Sequence, residues 1–381
     1  MPTKYKAAPQ IFSAAAGASS VLNFPPQKSE APARTFLFAF PGGGSLTQAQ
    51  AGAIPAVYET ITKYGSVTDI TGTSGGGING AICTNAINRG QGLAGIKAGL
   101  HHFWTGVRAM DSTYGVSRMQ KWFRTASDKQ GNLPQAYVDL TKVFSVASIG
   151  QMGIATTRIK DLLDTVVGHD YRAIQNGPVK MHTNYITRNI YSGREAYVVS
   201  SGKMIDGDEI VSSSGLDEIG CHVRYRDINF LTLMTGNIHM RRDGAYRVNP
   251  ELVSAIESGK PTDVVVLSLH APTDRPKDPY ESKLHTHEIH DDIEDLKLRY
   301  PGVRFHVMQI DFPPHLNASS HMNTDPDFLD ELKALGEQQA QQKMPALIAS
   351  LEGKPQPSLA TGRRSHRAHA VGDRTLDTIA S

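Results

Sequence analysis

The alternation of apolar and polar positions changes period several times along this chain, and each change marks an element. Arg34-Thr35-Phe36-Leu37-Phe38-Ala39-Phe40 is a short apolar, aromatic run halted by Pro41-Gly42-Gly43-Gly44, which reads as a strand ending in a turn. From Thr47 to Tyr64 apolar residues recur at helical spacing, with Ala51, Ile54, Val57, Tyr58 and Ile61 on one face. Ser66 to Thr71 predicts a second strand that runs straight into Gly72-Thr73-Ser74-Gly75-Gly76-Gly77, and Ile78 to Ile87 then predicts a helix. The rhythm returns later. Asp263 to Leu269 is continuously apolar, as in a strand buried on both faces, and Ile289, Ile293, Leu296 and Tyr300 line a helix leading to a strand from Val303 to Ile310. Between these halves Asn184 to Ser200 alternates like a hairpin turning at Ser192-Gly193. Repeated strand, glycine turn and helix predict an α/β fold with a mostly parallel central sheet flanked by helices. A stripe at Leu93, Ile96, Leu100, Phe103, Trp104 and Val107 is expected to be core.

Composition adds bounds. The 381 residues are 39% apolar and 20% charged with a formal charge of +2, which suits a soluble globular protein and gives no footing for nucleic acid. Two cysteines, Cys83 and Cys221, imply no disulfide framework, and a reducing, cytoplasmic setting is the expectation. No apolar run reaches the roughly 18 residues of a spanning helix. An Ala/Ser/Pro-rich stretch at residues 1–33 reads as a flexible leader. Residues 34–345 read as the folded region, and 346–381, rich in Pro, Ser, Thr, Arg and His from Gly353 onward, as a disordered tail.

The chemistry gathers at Ser74. Gly72-Thr73-Ser74-Gly75-Gly76 fits G-x-S-x-G. Between a strand and a helix, that motif lifts a serine oxygen clear of a turn so tight that only small residues fit two positions to either side. The following helix then aims its free N–H groups at a reacting carbonyl. The Gly42-Gly43-Gly44 cluster after the first strand supplies further unhindered N–H groups, and it matches no phosphate-loop pattern.

A triple glycine, a G-T-S-G-G elbow about 30 residues on, and a distant Asp243-Gly244-Ala245 followed by Asn249-Pro250 together resemble the patatin-like phospholipase family. The resemblance covers roughly residues 34 to 343 and is closest along Gly72 to Ala81. It implies a patatin-like three-layer fold, with residues 34–345 as the catalytic domain. It further implies a Ser74–Asp243 dyad in place of a triad, and an oxyanion hole built from Gly42, Gly43, Gly44 and Gly75. The substrate would be a lipid or acyl ester, met through transient contact with a membrane surface, and neither metal nor cofactor is called for. Two departures stand out. Ser45-Leu46-Thr47 lies where the family carries a basic residue, and Leu231 to Met240 lacks the family's proline.

Three other readings stay open on sequence. A Ser–His–Asp hydrolase would recruit a histidine such as His270, just after a predicted strand. A binding protein for acyl chains would have no use for Ser74 as nucleophile. His285, His287, Glu288, His290, Asp291 and Asp292 offer metal-ligand chemistry, but at a spacing that fits no zinc hydrolase pattern.

Overall fold

The computed structural model describes residues 33–113, 131–134, 154–189, 191–215, 222–223, 230–236, 238–269, 289–316 and 318–354. In chain order the first elements are β1 (Arg34–Phe40), α1 (Thr47–Ile61), β2 (Gly65–Gly72), α2 (Ser74–Asn88), α3 (Gly92–Thr113) and α4 (Ile154–Val167). There follow α5 (Arg172–Asn176), β3 (Lys180–Asn189), β4 (Glu195–Ser201), α6 (Gly207–Ser212), β5 (His222–Val223) and α7 (Phe230–Thr235). The last are β6 (His239–Asp243), α8 (Val253–Gly259), β7 (Asp263–Ser268), α9 (Ile289–Arg299), β8 (Arg304–Gln309) and α10 (Pro326–Leu351).

The alternation within β1 separates the layers. Phe36, Phe38 and Phe40 enter a core shared with α1, α2, α3 and α10, while Leu37 and Ala39 pack on the other face with Leu252, Ala255 and Ile256 of α8 and its approach, and Ile293 and Leu296 of α9. Helices therefore cover both faces of one sheet, which is the three-layer α/β arrangement. Each large side chain so buried contributes about 1.5–3 kcal/mol. The apolar stripe of α3 is core, with Ile96, Leu100, Phe103 and Trp104 all buried.

The eight-stranded sheet runs β5-β6-β3-β2-β1-β7-β8, with β4 also on β3. β3, β2, β1, β7 and β8 are mutually parallel, whereas β4 and β6 run antiparallel to β3. One detail governs the site. β2 meets β3 at Lys180 to His182, β4 meets it from His182 to Arg188, and β6 meets it from Tyr185 to Asn189. A strand has two edges, and β4 overlaps both of the others. So β2 and β6 share the opposite edge of β3, end to end, and because they run in opposite directions their C-terminal ends face each other.

α1 and α10 cross closely through glycines: a Cβ on Gly52 would strike the Lys333 carbonyl, and one on Gly336 would strike that of Ala49. This contact seats the start of α1, and with it the glycine turn. α10 runs on to Leu351, with Leu347 and Leu351 buried, so residues 346–351, expected in the tail, belong to the folded region. The reason is continued helical spacing through Met344, Leu347 and Leu351, which Pro345 inside the helix does not interrupt. The expected leader, residues 1–32, and tail residues 355–381 lie outside the described residues. No helix among the described residues is long and apolar enough to cross a membrane.

Candidate active site

Ser74 stands at the junction of β2 and α2, in the left-handed region at φ 54°. For a residue with a Cβ that conformation is strained, and glycines crowd both sides of it. A Cβ on Gly72 would lie 2.5 Å from the Gly76 carbonyl oxygen, and one on Gly76 would lie 2.5 Å from that of Pro41. The positions two before and two after the serine must therefore be bare, as the motif's mechanics require. Helix α2 begins at Ser74 itself, four residues earlier than apolar spacing predicts, because the Gly75-Gly76-Gly77 run carries no hydrophobic signal.

Asp243 is the last residue of β6, opposite Tyr185. β2 ends at Gly72, one step past the Thr71–His182 pair and so level with Thr183. Two steps of β3, about 7 Å, separate the two strand ends; Asp243 closes one of them, and Ser74 follows the other by two residues. The segment after α6 touches both: the Ser74 N–H donates to Ser213 Oγ at 2.8 Å, and the Asp243 N–H donates to the Gly215 carbonyl at 2.7 Å. The carboxylate is turned in part by its own loop, since Asp243 Oδ1 accepts from the Ala245 N–H at 2.8 Å. Ser74 and Asp243 are both buried, at 4% and 1% exposure, so both side chains sit away from bulk water.

The glycine turn is held at nearly every peptide. The Pro41 carbonyl accepts from Gln50 Nε2 at 2.8 Å, that of Gly43 from the Leu46 N–H at 3.0 Å, and that of Gly44 from Thr47 Oγ1 at 2.6 Å. Gly42 donates its N–H to Asn249 Oδ1 at 2.5 Å and accepts from Asn249 Nδ2 at 3.3 Å. This corrects one expectation: the Gly42 N–H is occupied and is not an oxyanion donor. Gly42 has a packing reason instead, because a Cβ there would lie 2.6 Å from the Ser74 Cβ. No hydrogen bond among the described residues engages the N–H of Gly43, Gly44 or Gly75. Three donors thus flank the serine, and Gly75 sits in the first turn of α2, where helical N–H groups lack partners.

Ser45 and Leu46, at the position where a basic residue was expected by resemblance, are both buried in a short 3-10 turn. A charge there would have to shed its water, so the departure suits the local environment. Leu46 and Leu269 close on Gly43 and give the turn an apolar flank.

Other candidate chemistry falls elsewhere. His270 and residues 285–288 of the histidine-rich stretch lie outside the described residues, and His290 to Asp292 lie in the first turn of α9. A buried His–Asp pair does exist, His182 Nε2 to Asp69 Oδ1 at 3.0 Å, but it staples β2 to β3 upstream of the elbow, with Gly259 packed on the carboxylate. Cys83 is buried within α2, and that burial pushes its thiol up, which removes it as a competing nucleophile. Sequence reasoning passed over Asn184, Ser213, Gln50 and Arg241. Arg241 on β6 pairs with Glu209 of α6 at 2.9 Å, both buried, and so ties α6 to the strand that carries Asp243. A cavity of about 500 Å³ between α1, α3 and α10 contains neither Ser74 nor Asp243 in its lining.

No family model and no curated protein matches the chain. Among solved structures, VipD from Legionella pneumophila aligns at a TM-score of 0.36 and 10% identity, over 83% of this chain and 68% of that one. ExoU in complex with SpcU, from the type III secretion system of Pseudomonas aeruginosa, aligns at 0.35 and 14%, over 84% of this chain and 53% of the matched one. A second structure of the type III effector ExoU gives 0.33 and 12%, over 83% and 53%. The aligned region thus spans about half the length of ExoU. Likeness at this level carries no residue role and no activity across.

Proposed function

We propose that the protein is a serine carboxylic-ester hydrolase of the patatin-like type, acting on lipid acyl esters through a covalent acyl-enzyme. Ser74 Oγ attacks the ester carbonyl carbon while Asp243 takes its proton. The oxygen of the tetrahedral intermediate is held by the N–H groups of Gly43, Gly44 and Gly75. Collapse expels the alkoxide, which recovers the proton from Asp243. Water, deprotonated by the same carboxylate, then cleaves the acyl-enzyme and releases the acid. A serine and an aspartate perform these steps without a Lewis acid, so the reading includes no cofactor.

One observation carries the reading: β2 and β6 approach each other along a single edge of β3 and present Ser74 and Asp243 from their facing ends. The strained φ of Ser74 and the unengaged N–H groups around it support the same assignment. The apolar flank formed by Leu46 and Leu269, with buried Ser45 in place of a cation, favours recognition of the acyl chain over an anionic head group. Burial contributes about 0.8 kcal/mol per methylene, so long chains are preferred to acetate.

The test is Ser74→Ala with a fluorophosphonate probe. Ester hydrolysis should fall at least about a thousandfold while the far-UV spectrum stays that of the parent, and the probe should modify Ser74 in the parent alone. Residual turnover above that level, or a label on another residue, overturns the assignment.

A further inference from the structure

The sheet has a flaw at the one place where it matters. β2 stops level with Thr183 and β6 stops level with Tyr185, so the residue of β3 between them, Asn184, has no strand opposite it on that edge. Along an interior strand, successive residues direct their backbone hydrogen bonds to one neighbouring strand and then the other. Here a side chain links the segments on the two sides of the gap. Asn184 is fully buried, its Oδ1 accepts from Thr73 Oγ1, and its Nδ2 donates to the Val248 carbonyl at 2.9 Å.

Of its partners, Thr73 and Val248 belong one to each half of the site, while Tyr197 of β4 also bonds the amide. Thr73 immediately precedes Ser74. Val248 lies in the loop that follows Asp243, one residue before Asn249, which holds Gly42. The amide uses its acceptor on the nucleophile turn and its donor on the aspartate loop, and the Val248 carbonyl, which can only accept, fixes that orientation. It also explains the glycine of Asp243-Gly244-Ala245: a Cβ on Gly244 would lie 2.7 Å from Asn184 Cγ. The aspartate loop is thus pressed flat onto this one side chain.

The geometry points to Asn184 as the positioning residue that sets the separation between Ser74 and Asp243. It touches neither reacting atom and acts through Thr73 and the 243–248 loop. This rests on the Ser74–Asp243 reading. A proton passed directly from serine to aspartate depends on their distance more sharply than binding does, and a displacement of about 1 Å costs on the order of a hundredfold in rate. The acyl chain, held along Leu46 and Leu269, does not sense Asn184.

The experiment is a double-mutant cycle on Thr73→Val and Asn184→Ala, read as kcat and KM on a long-chain ester. Thr73→Val keeps the shape of the side chain and deletes only the hydrogen bond. It should lower kcat about 10- to 100-fold with KM within about twofold of the parent. Asn184→Ala should lower kcat at least as far, and the double variant should be no slower than Asn184→Ala. Asn184→Gln, with the same groups one methylene further out, should fail to restore the rate. If Asn184→Ala does not fold, Thr73→Val decides alone, since it leaves no cavity. Parent-like kcat in Thr73→Val, or a loss confined to KM, overturns the proposal. Asp243→Asn assayed in parallel separates the two ideas. If it stays active the dyad itself is wrong; if it is inactive while Thr73→Val is parent-like, only the role of Asn184 falls.

Discussion

The two ends of the parallel strands are built on opposite terms. At the amino ends of β1, β7 and β8 the charges answer one another. Asp263 at the start of β7 accepts from Arg34 Nε of β1 at 3.0 Å, from Arg304 of β8 at 2.8 Å, and shares a 2.8 Å bond with His306 Nε2. Arg34 also donates to the Leu351 carbonyl at 2.7 Å and so seals the last turn of α10. At their carboxyl ends the inventory is reversed: a serine in a strained conformation, three N–H groups without partners among the described residues, and a strand edge with a gap. Open α/β sheets bind ligands at the carboxyl ends of their strands. Here the reason is visible in the residues. A saturated network has nothing left to offer a substrate, whereas the other end is held in place by buried amides and keeps its donors free.

The contrast breaks most sharply at Asp243. Asp243→Asn keeps the shape and removes the base, so hydrolysis should drop by about a thousandfold or more. The urea midpoint should stay within a few tenths of a molar of the parent. A variant with near-parent turnover would mean that the aspartate is merely a turn residue. The mirror experiment is Asp263→Asn. It leaves Arg34 and His306 facing a neutral amide, and breaking a buried ion pair costs about 3–5 kcal/mol. Solvent access to Arg34 and Arg304 puts the expected loss near the lower figure, read from urea unfolding. Turnover per folded molecule should not change, and a change in turnover would show that the two ends are coupled.

A smaller effect sharpens the comparison through pH. Burial alone would raise the carboxyl of Asp263, but hydrogen bonds from His306, Arg34, Thr262 and Arg304 outweigh it and hold the group well below the usual carboxylate range. The unfolded chain has no such network. The stability from Asp263 is therefore complete above the unfolded pKa of about 4 and drains away as pH falls below it. Unfolding midpoints taken from about pH 5 down to about pH 3 should decline in the parent and decline less steeply in Asp263→Asn. Equal slopes would remove Asp263 from the acid response.

Much of this was legible locally. The Phe36/Phe38/Phe40 alternation, the elbow around Ser74 and the buried run from Asp263 follow from neighbours in sequence, and the structure has each of those elements where the spacing predicted it. Asp243 carries no local chemical signal and is singled out only because Asp-Gly-Ala resembles a known block. The reversal of β6 depends on pairing with β3 residues 50 to 58 positions earlier, which no periodicity encodes. The same holds for Gly42. Its N–H looked as available as those of Gly43 and Gly44, and what removes it is the Asn249 side chain 207 positions away. Asn184 was legible only as one residue of a hairpin, because Thr73 and Val248 lie 111 and 64 positions distant.

The bond from Arg34 to Leu351 has one more implication. It brings the first strand and the last helix of the framework together on the side remote from Ser74. Topologically the framework is a ring clasped at one point, and the place where the backbone starts is incidental to the architecture. The hairpin tip at Gly193 is exposed, with open space around it. Evolution or an engineer can therefore weld the ring at the clasp and open it at that tip, and every strand would keep its neighbours.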